Sequence, residues 1–196
     1  MKGKNKGYTL VEMIVVLAII AILSGLSFVT LGIINQARYN SAAETLSEQM
    51  GSLLVKTKAL SKAEKDTTCM VIVKTTASPV SRNIGTYSLI LGKDTARNGA
   101  SVVLETDPAI EATLPKILDQ VAYTPAPDAS QQSALIGTTV TNVNSNITQG
   151  EIVGYLEFNK SNGSVRYGAG AYSLYYQGRV VATVHLDAST GNHYVK

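Results

Sequence analysis

The chain is short of everything that most chemistry needs. It has one cysteine, Cys69, and two histidines, His185 and His193. No intramolecular disulfide can form, and a zinc set of Cys and His ligands is out of reach. Cys69 lies in Cys69-Met-Val-Ile-Val73, which reads as a buried small hydrophobe rather than a reactive thiol. Charge of one sign is also missing. The net charge is +3, but Lys2, Lys4 and Lys6 carry all of it, and beyond Gly7 fourteen basic side chains face fourteen acidic ones. Without clustered Lys and Arg there is no electrostatic case for nucleic acid. Proline is absent from Met13 to Lys65, and Gly51 is the only glycine between Asn35 and Lys65.

What the chain does have is an uncharged run, Met13 to Ile34 (MIVVLAIIAILSGLSFVTLGII). At ~1.5 Å per helical residue it spans roughly 33 Å, about the thickness of a bilayer's hydrocarbon core. The basic head before it should stay cytoplasmic and the rest of the chain should lie outside. A secretory signal would place its small-residue cleavage site after the apolar core. Here the small residue at the polar-to-apolar boundary is Gly7, before it. Glu12 lies inside the apolar segment, where an unpaired carboxylate costs about 2–3 kcal/mol at mid-bilayer and calls for a partner. An α-amine created at Tyr8 would supply one.

The segment Gly7-Tyr8-Thr9-Leu10-Val11-Glu12, with its basic leader and apolar helix, resembles the type IV prepilin signature. That resemblance implies cleavage after Gly7 by a membrane prepilin peptidase and N-methylation of Tyr8. It further implies that Glu12 pairs with the N-terminal amine of a neighbouring subunit during assembly. Many pilins carry a helix-kinking proline in this run, and the region around Val29 has none. Gly25 and Gly32 are its weak points, each costing ~1 kcal/mol against alanine. The leader is then 1–7, the membrane or filament-core half of the helix 8–34, and the extracytoplasmic head 35–196.

About 160 residues remain for that head, one domain's worth. Leu46, Met50, Leu53 and Leu60 fall near one face at helical spacing, with Ala42, Ala43 and Ala59 adjoining. The helix is expected to run on to about Lys65, for about 50 residues in all. Strands are expected at Cys69–Lys74, Thr86–Leu91 and Ser101–Glu105. Asp107-Pro108 reads as the cap of a short helix over 109–114 that Pro115 stops. Tyr123 to Gly150 reads as a long loop with one edge strand. The C-terminal part alternates as strands do: Ile152–Asn159, Ser164–Tyr167, Ala171–Tyr176, Val180–Asp187 and His193–Val195, with tight turns at Asn162-Gly163 and Gln177-Gly178. In Ile152–Asn159, Leu156 and Phe158 alternate with Tyr155 and Glu157, which suits a strand with one face on the helix. The expected fold class is α+β, and a long N-terminal helix on an antiparallel sheet head resembles the pilin fold over the whole chain. Leu156-Glu-Phe-Asn-Lys-Ser-Asn-Gly163 and Val181-Ala-Thr-Val-His-Leu-Asp-Ala-Ser-Thr-Gly191 are similar to the C-terminal region of H-type minor pseudopilins of type II secretion.

Elsewhere the search for chemistry returns bland readings. His185 and Asp187, two apart, could pair on one strand face, but no nucleophile motif accompanies them. Glu105, Asp107 and Glu111 lack the ligand spacing of a calcium loop and read as a solvated face. Gly168-Ala-Gly170 is a turn rather than a nucleotide loop. Six of the ten tyrosines (Tyr155, Tyr167, Tyr172, Tyr175, Tyr176, Tyr194) fall in the last β region. With Lys160, Arg166 and Arg179 among them, they are a candidate nucleic-acid face as well as ordinary packing. The expected function is therefore a non-enzymatic subunit, pilin or minor pseudopilin, of a type IV pilus-like filament. No cofactor or metal is expected. Its expected partners are other pilin subunits, the prepilin peptidase, an inner-membrane assembly platform and, before assembly, membrane lipid. Its place is the membrane, single-pass, and then a cell-surface pilus or pseudopilus. The second function class is a membrane-anchored extracellular binding module, an adhesin or DNA-uptake minor pilin.

Overall fold

The computed structural model describes residues 8–59, 67–77, 87–94, 98–99, 110–115, 117–127, 129, 132–144 and 147–196; the side chains at 26–30, 77, 110 and 144 lie outside that description. The leader, including Gly7, and the expected strand Ser101–Glu105 therefore fall outside the described residues. One helix, α1, runs Leu10–Ala59, 50 residues, the length expected from the sequence. Its last turn carries Lys56 and Lys58, favourable beside the carbonyl end of the helix dipole. The chain divides into two compact units, 1–38 and 39–196.

In the first unit the helix presents apolar side chains on every side, and none of those described is buried. Leu10, Leu17, Ile22 and Ile33 are all more than half exposed. Among the described residues no helix is long and apolar enough to cross a membrane. The run Met13–Ile34 contains positions 26–30, whose side chains are outside that description.

The second unit is α+β. Among the described residues its strands are β1 (Thr67–Ala77), β2 (Tyr87–Asp94), β3 (Ile110–Thr113), β4 (Gln120–Pro125), β5 (Thr139–Asn144), β6 (Ile147–Phe158), β7 (Val165–Tyr167), β8 (Gly170–Tyr176), β9 (Arg179–Leu186) and β10 (His193–Val195). They form two antiparallel sheets rather than one. The larger runs β3-β2-β1-β6-β5, with β7 also on β6, and the smaller runs β10-β9-β8-β4. The β8–β9 turn is Gln177-Gly178, both residues at positive φ (49° and 71°), the two-residue hairpin turn whose twist matches the strands it joins.

The main core contains Tyr39, Ala42, Ala43, Leu46, Met50 and Leu53 of α1, Met70, Ile72, Leu89, Leu156 and Phe158 of the larger sheet, and Tyr172, Leu174, Val184 and Leu186 of the smaller. A second core lies on the opposite side chains of the larger sheet: Cys69, Val71, Val73, Ile90, Tyr155 and Tyr167, joined by Val143 and Ile147. The larger sheet is thus buried on both faces, and β6 is not the one-sided strand that its alternation suggested. Two further expectations are corrected. The segment Tyr123–Gly150 is not one long loop: the end of β4, all of β5 and the start of β6 lie in it, Leu135, Ile136 and Val140 pack on the second core, and Val143 belongs to that core. β5 does form a sheet edge, as the expected edge strand would. The short helix at 109–114 is replaced over Ile110–Thr113 by β3, because pairing with β2 (Ser88 to Thr113, Leu89 to Ala112) gives those backbone groups a partner that a capped single turn could not.

Candidate functional site

The start of α1 is fixed by a capping box. Thr9 is the cap residue: its Oγ1 accepts from the Glu12 N–H at 3.3 Å. In return its own N–H and hydroxyl both donate to Glu12 Oε2, at 2.7 and 2.9 Å. This satisfies two of the helix's free donors at once. Glu12 is thereby held over the first turn, where the helix dipole also favours a negative charge. Tyr8 stands just outside the helix, 84% exposed. Glu12 stands out in the sequence by its charge and Thr9 does not, although the spacing Thr-x-x-Glu ahead of an apolar run is the signature of this box.

In the head the candidate pairs come apart. β9 ends at Leu186, so Asp187 is not on a strand face with His185. Its Oδ1 instead accepts from the N–H and hydroxyl of Ser189 and of Thr190 at 2.8–3.1 Å. Those hydrogen bonds hold its carboxyl down at about 2. His185 stacks on Tyr194 across the β9–β10 pair, ring centroids 4.9 Å apart and planes 15° from parallel. His193 lies over Gly51, where an added Cβ would come within 3.4 Å of its ring. Cys69 is buried, and burial first of all pushes its thiol up to about 12, as suits a packing residue. Of the acidic trio, Glu105 and Asp107 are outside the described residues, and Glu111 pairs with Lys56 at 3.2 Å.

Half of the tyrosines in the candidate nucleic-acid face are buried. Tyr155 and Tyr172 are fully buried, Tyr167 is nearly so, and the Arg166 guanidinium donates to Glu157 Oε1 at 3.1 Å. Of the six tyrosines only Tyr194 is exposed. Around Tyr155 lies a buried polar cluster that no local spacing in the sequence announces. The Tyr155 hydroxyl is 3.2 Å from Asp94 Oδ2 and 3.0 Å from Glu157 Oε2, and Asp94 also accepts from the Gly99 N–H at 2.9 Å. It ties β2, β6 and β7 together beneath the sheet; burial raises the Glu157 carboxyl, against the pull of Arg166. Among the described residues no group of three or more His, Cys, Asp or Glu could hold a metal ion.

A family model described as the prokaryotic N-terminal methylation motif matches residues 2–28. That motif is the prepilin signature of type IV pilins and pseudopilins, and the chain carries it. The match covers Gly7, Tyr8, Thr9 and Glu12 and stops short of the head. No curated protein and no solved structure matches the chain.

Proposed function

We propose that this chain is a structural, non-enzymatic subunit of a type IV pilus-like filament. It is made as a membrane-held prepilin, cut after Gly7, N-methylated on Tyr8 and polymerised through the first half of α1. The observation that carries the reading is the methylation motif over 2–28 coinciding with a helix whose described apolar side chains up to Ile34 are exposed. A helix apolar on all sides needs an apolar surround. Lipid supplies it before assembly, and neighbouring helices supply it afterwards, so polymerisation loses little hydrophobic free energy.

The capping box gives Glu12 a second task in this reading. Its carboxylate sits one residue from the amine that cleavage would create at Tyr8. A neighbour's amine entering the same place would find a charge already oriented, and leaving either charge unpaired in an apolar filament core is costly. The head of the proposed subunit has the long helix packed on antiparallel sheets, as in the pilin fold. The test is the intact mass of the protein extracted from membranes. Loss of Met1–Gly7 with one added methyl group is expected; an uncut N-terminus would reduce the chain to a signal-anchored domain.

A further inference from the structure

Two carboxyls and one hydroxyl meet inside the head, and the hydrogens open to them can be counted. Asp94 of β2 and Tyr155 and Glu157 of β6 are all fully buried. The Tyr155 oxygen lies 3.2 Å from Asp94 Oδ2 and 3.0 Å from Glu157 Oε2, so both contacts are at hydrogen-bond distance. A phenol carries one hydrogen and donates it to one acceptor in a linear bond. With both carboxyls ionised, the second contact would set an anionic oxygen against a lone pair. In a buried place that arrangement is costly, because nothing screens it.

The surrounding groups leave this count unchanged. Cys69 of β1 hydrogen-bonds to the Tyr155 hydroxyl, and burial, the first cause in each case, pushes its thiol up to about 12 and the hydroxyl further still, so both keep their hydrogens. The Gly99 N–H donates to Asp94 Oδ2, and Arg166 of β7 donates to Glu157 Oε1, the oxygen that Tyr155 does not touch. Tyr167 of β7 closes the edge of the Tyr155 ring, and Lys160 stands with Arg166 at the opening above Glu157. One added proton satisfies every contact: Glu157 Oε2–H donates to Tyr155, and Tyr155 donates to Asp94. The pair then carries one negative charge, which the Arg166 guanidinium matches. The direction in which burial moves the Glu157 carboxyl, upward, agrees.

We propose that Asp94 and Glu157 hold one proton between them at neutral pH, bridged by Tyr155, and that its release loosens β2 and β7 from β6. This proton latch is independent of the assembly reading, since it uses no residue before Cys69. Infrared difference spectra of the full chain in an ester-free detergent test it at about pH 7, where ordinary carboxyls have ionised. The parent minus Glu157→Gln, and the parent minus Asp94→Asn, should each show the C=O stretch of one un-ionised carboxyl. Glu12 and the other acids cancel in the subtraction. Both variants are close in shape to the parent, and in each the remaining carboxyl is expected to ionise against Arg166. As the pH is raised from there, amide exchange at Gly99 and β7, corrected for its ordinary base catalysis, should speed up relative to β8 in the parent and not in Glu157→Gln. The proposal is overturned if neither difference shows the un-ionised band, if only one does, so that a single carboxyl holds the proton without the other, or if exchange at Gly99 and β7 keeps pace with β8.

Discussion

The two parts of α1 contain similar apolar residues with opposite fates. Before Arg38 they occupy all sides of the helix, and the described ones stay exposed. From Tyr39 to Leu53 they occupy one stripe, Tyr39, Ala42, Ala43, Leu46, Met50 and Leu53, and every one is buried. The difference lies in patterning rather than hydrophobicity. A stripe at spacings of three and four has one partner to find, and the strands of the same chain provide it. Apolar residues on all sides have no single direction in which to be buried, and the described ones are exposed. Hence one part of the helix serves folding, and in the proposed subunit the other is left for lipid or a neighbour.

The largest effect that would break this comparison is a stability difference between equivalent truncations. Leu46→Ala removes a fully buried side chain from the main core and should cost about 3–5 kcal/mol in urea unfolding of the head. Leu17→Ala, at a position 63% exposed, should change head stability by less than about 0.5 kcal/mol. Similar losses at the two sites would mean that the parts are not energetically distinct.

A smaller effect sharpens the account of the head. Burial raises the Glu157 carboxyl above its ordinary 4.5, more than Arg166 lowers it. The folded chain thus holds this proton more tightly than the unfolded one. The stabilisation is fully present below about pH 4.5 and is lost as pH rises through the folded value. Asp94, Tyr155, Cys69 and Arg166 surround the group and shift the point at which this occurs. The urea midpoint of the parent relative to Glu157→Gln should therefore fall between pH 4.5 and pH 8. A rise over that range would show that Arg166 outweighs the desolvation.

Legibility in the sequence followed the range of the interactions. The helix, β1, β2 and the C-terminal strands announce themselves through local periodicity, and Gln177-Gly178 through its turn chemistry. β3, β4 and β5 do not, because Thr, Asn, Gln and Glu become strand residues there only through pairing with β2, β8 and β6. The second core was hidden for the same reason: Leu135, Ile136 and Val143 cover it from a stretch whose composition reads as loop. Asp94 and Tyr155 are 61 positions apart, and no local spacing joins them. At the N-terminus all the informative residues lie within six positions, so the motif was readable. Thr9 alone was passed over, since its role is as ordinary as a helix cap.

The central claim, that the Glu12 charge serves assembly rather than only the start of α1, is most directly tested by Glu12→Gln. Glutamine completes a capping box as glutamate does, so the helix keeps its cap and only the charge is removed. The account predicts that Glu12→Gln subunits insert in the membrane, lose Met1–Gly7 and are absent from sheared filaments. Incorporation at the parent's level would contradict it and leave Glu12 as a helix cap alone.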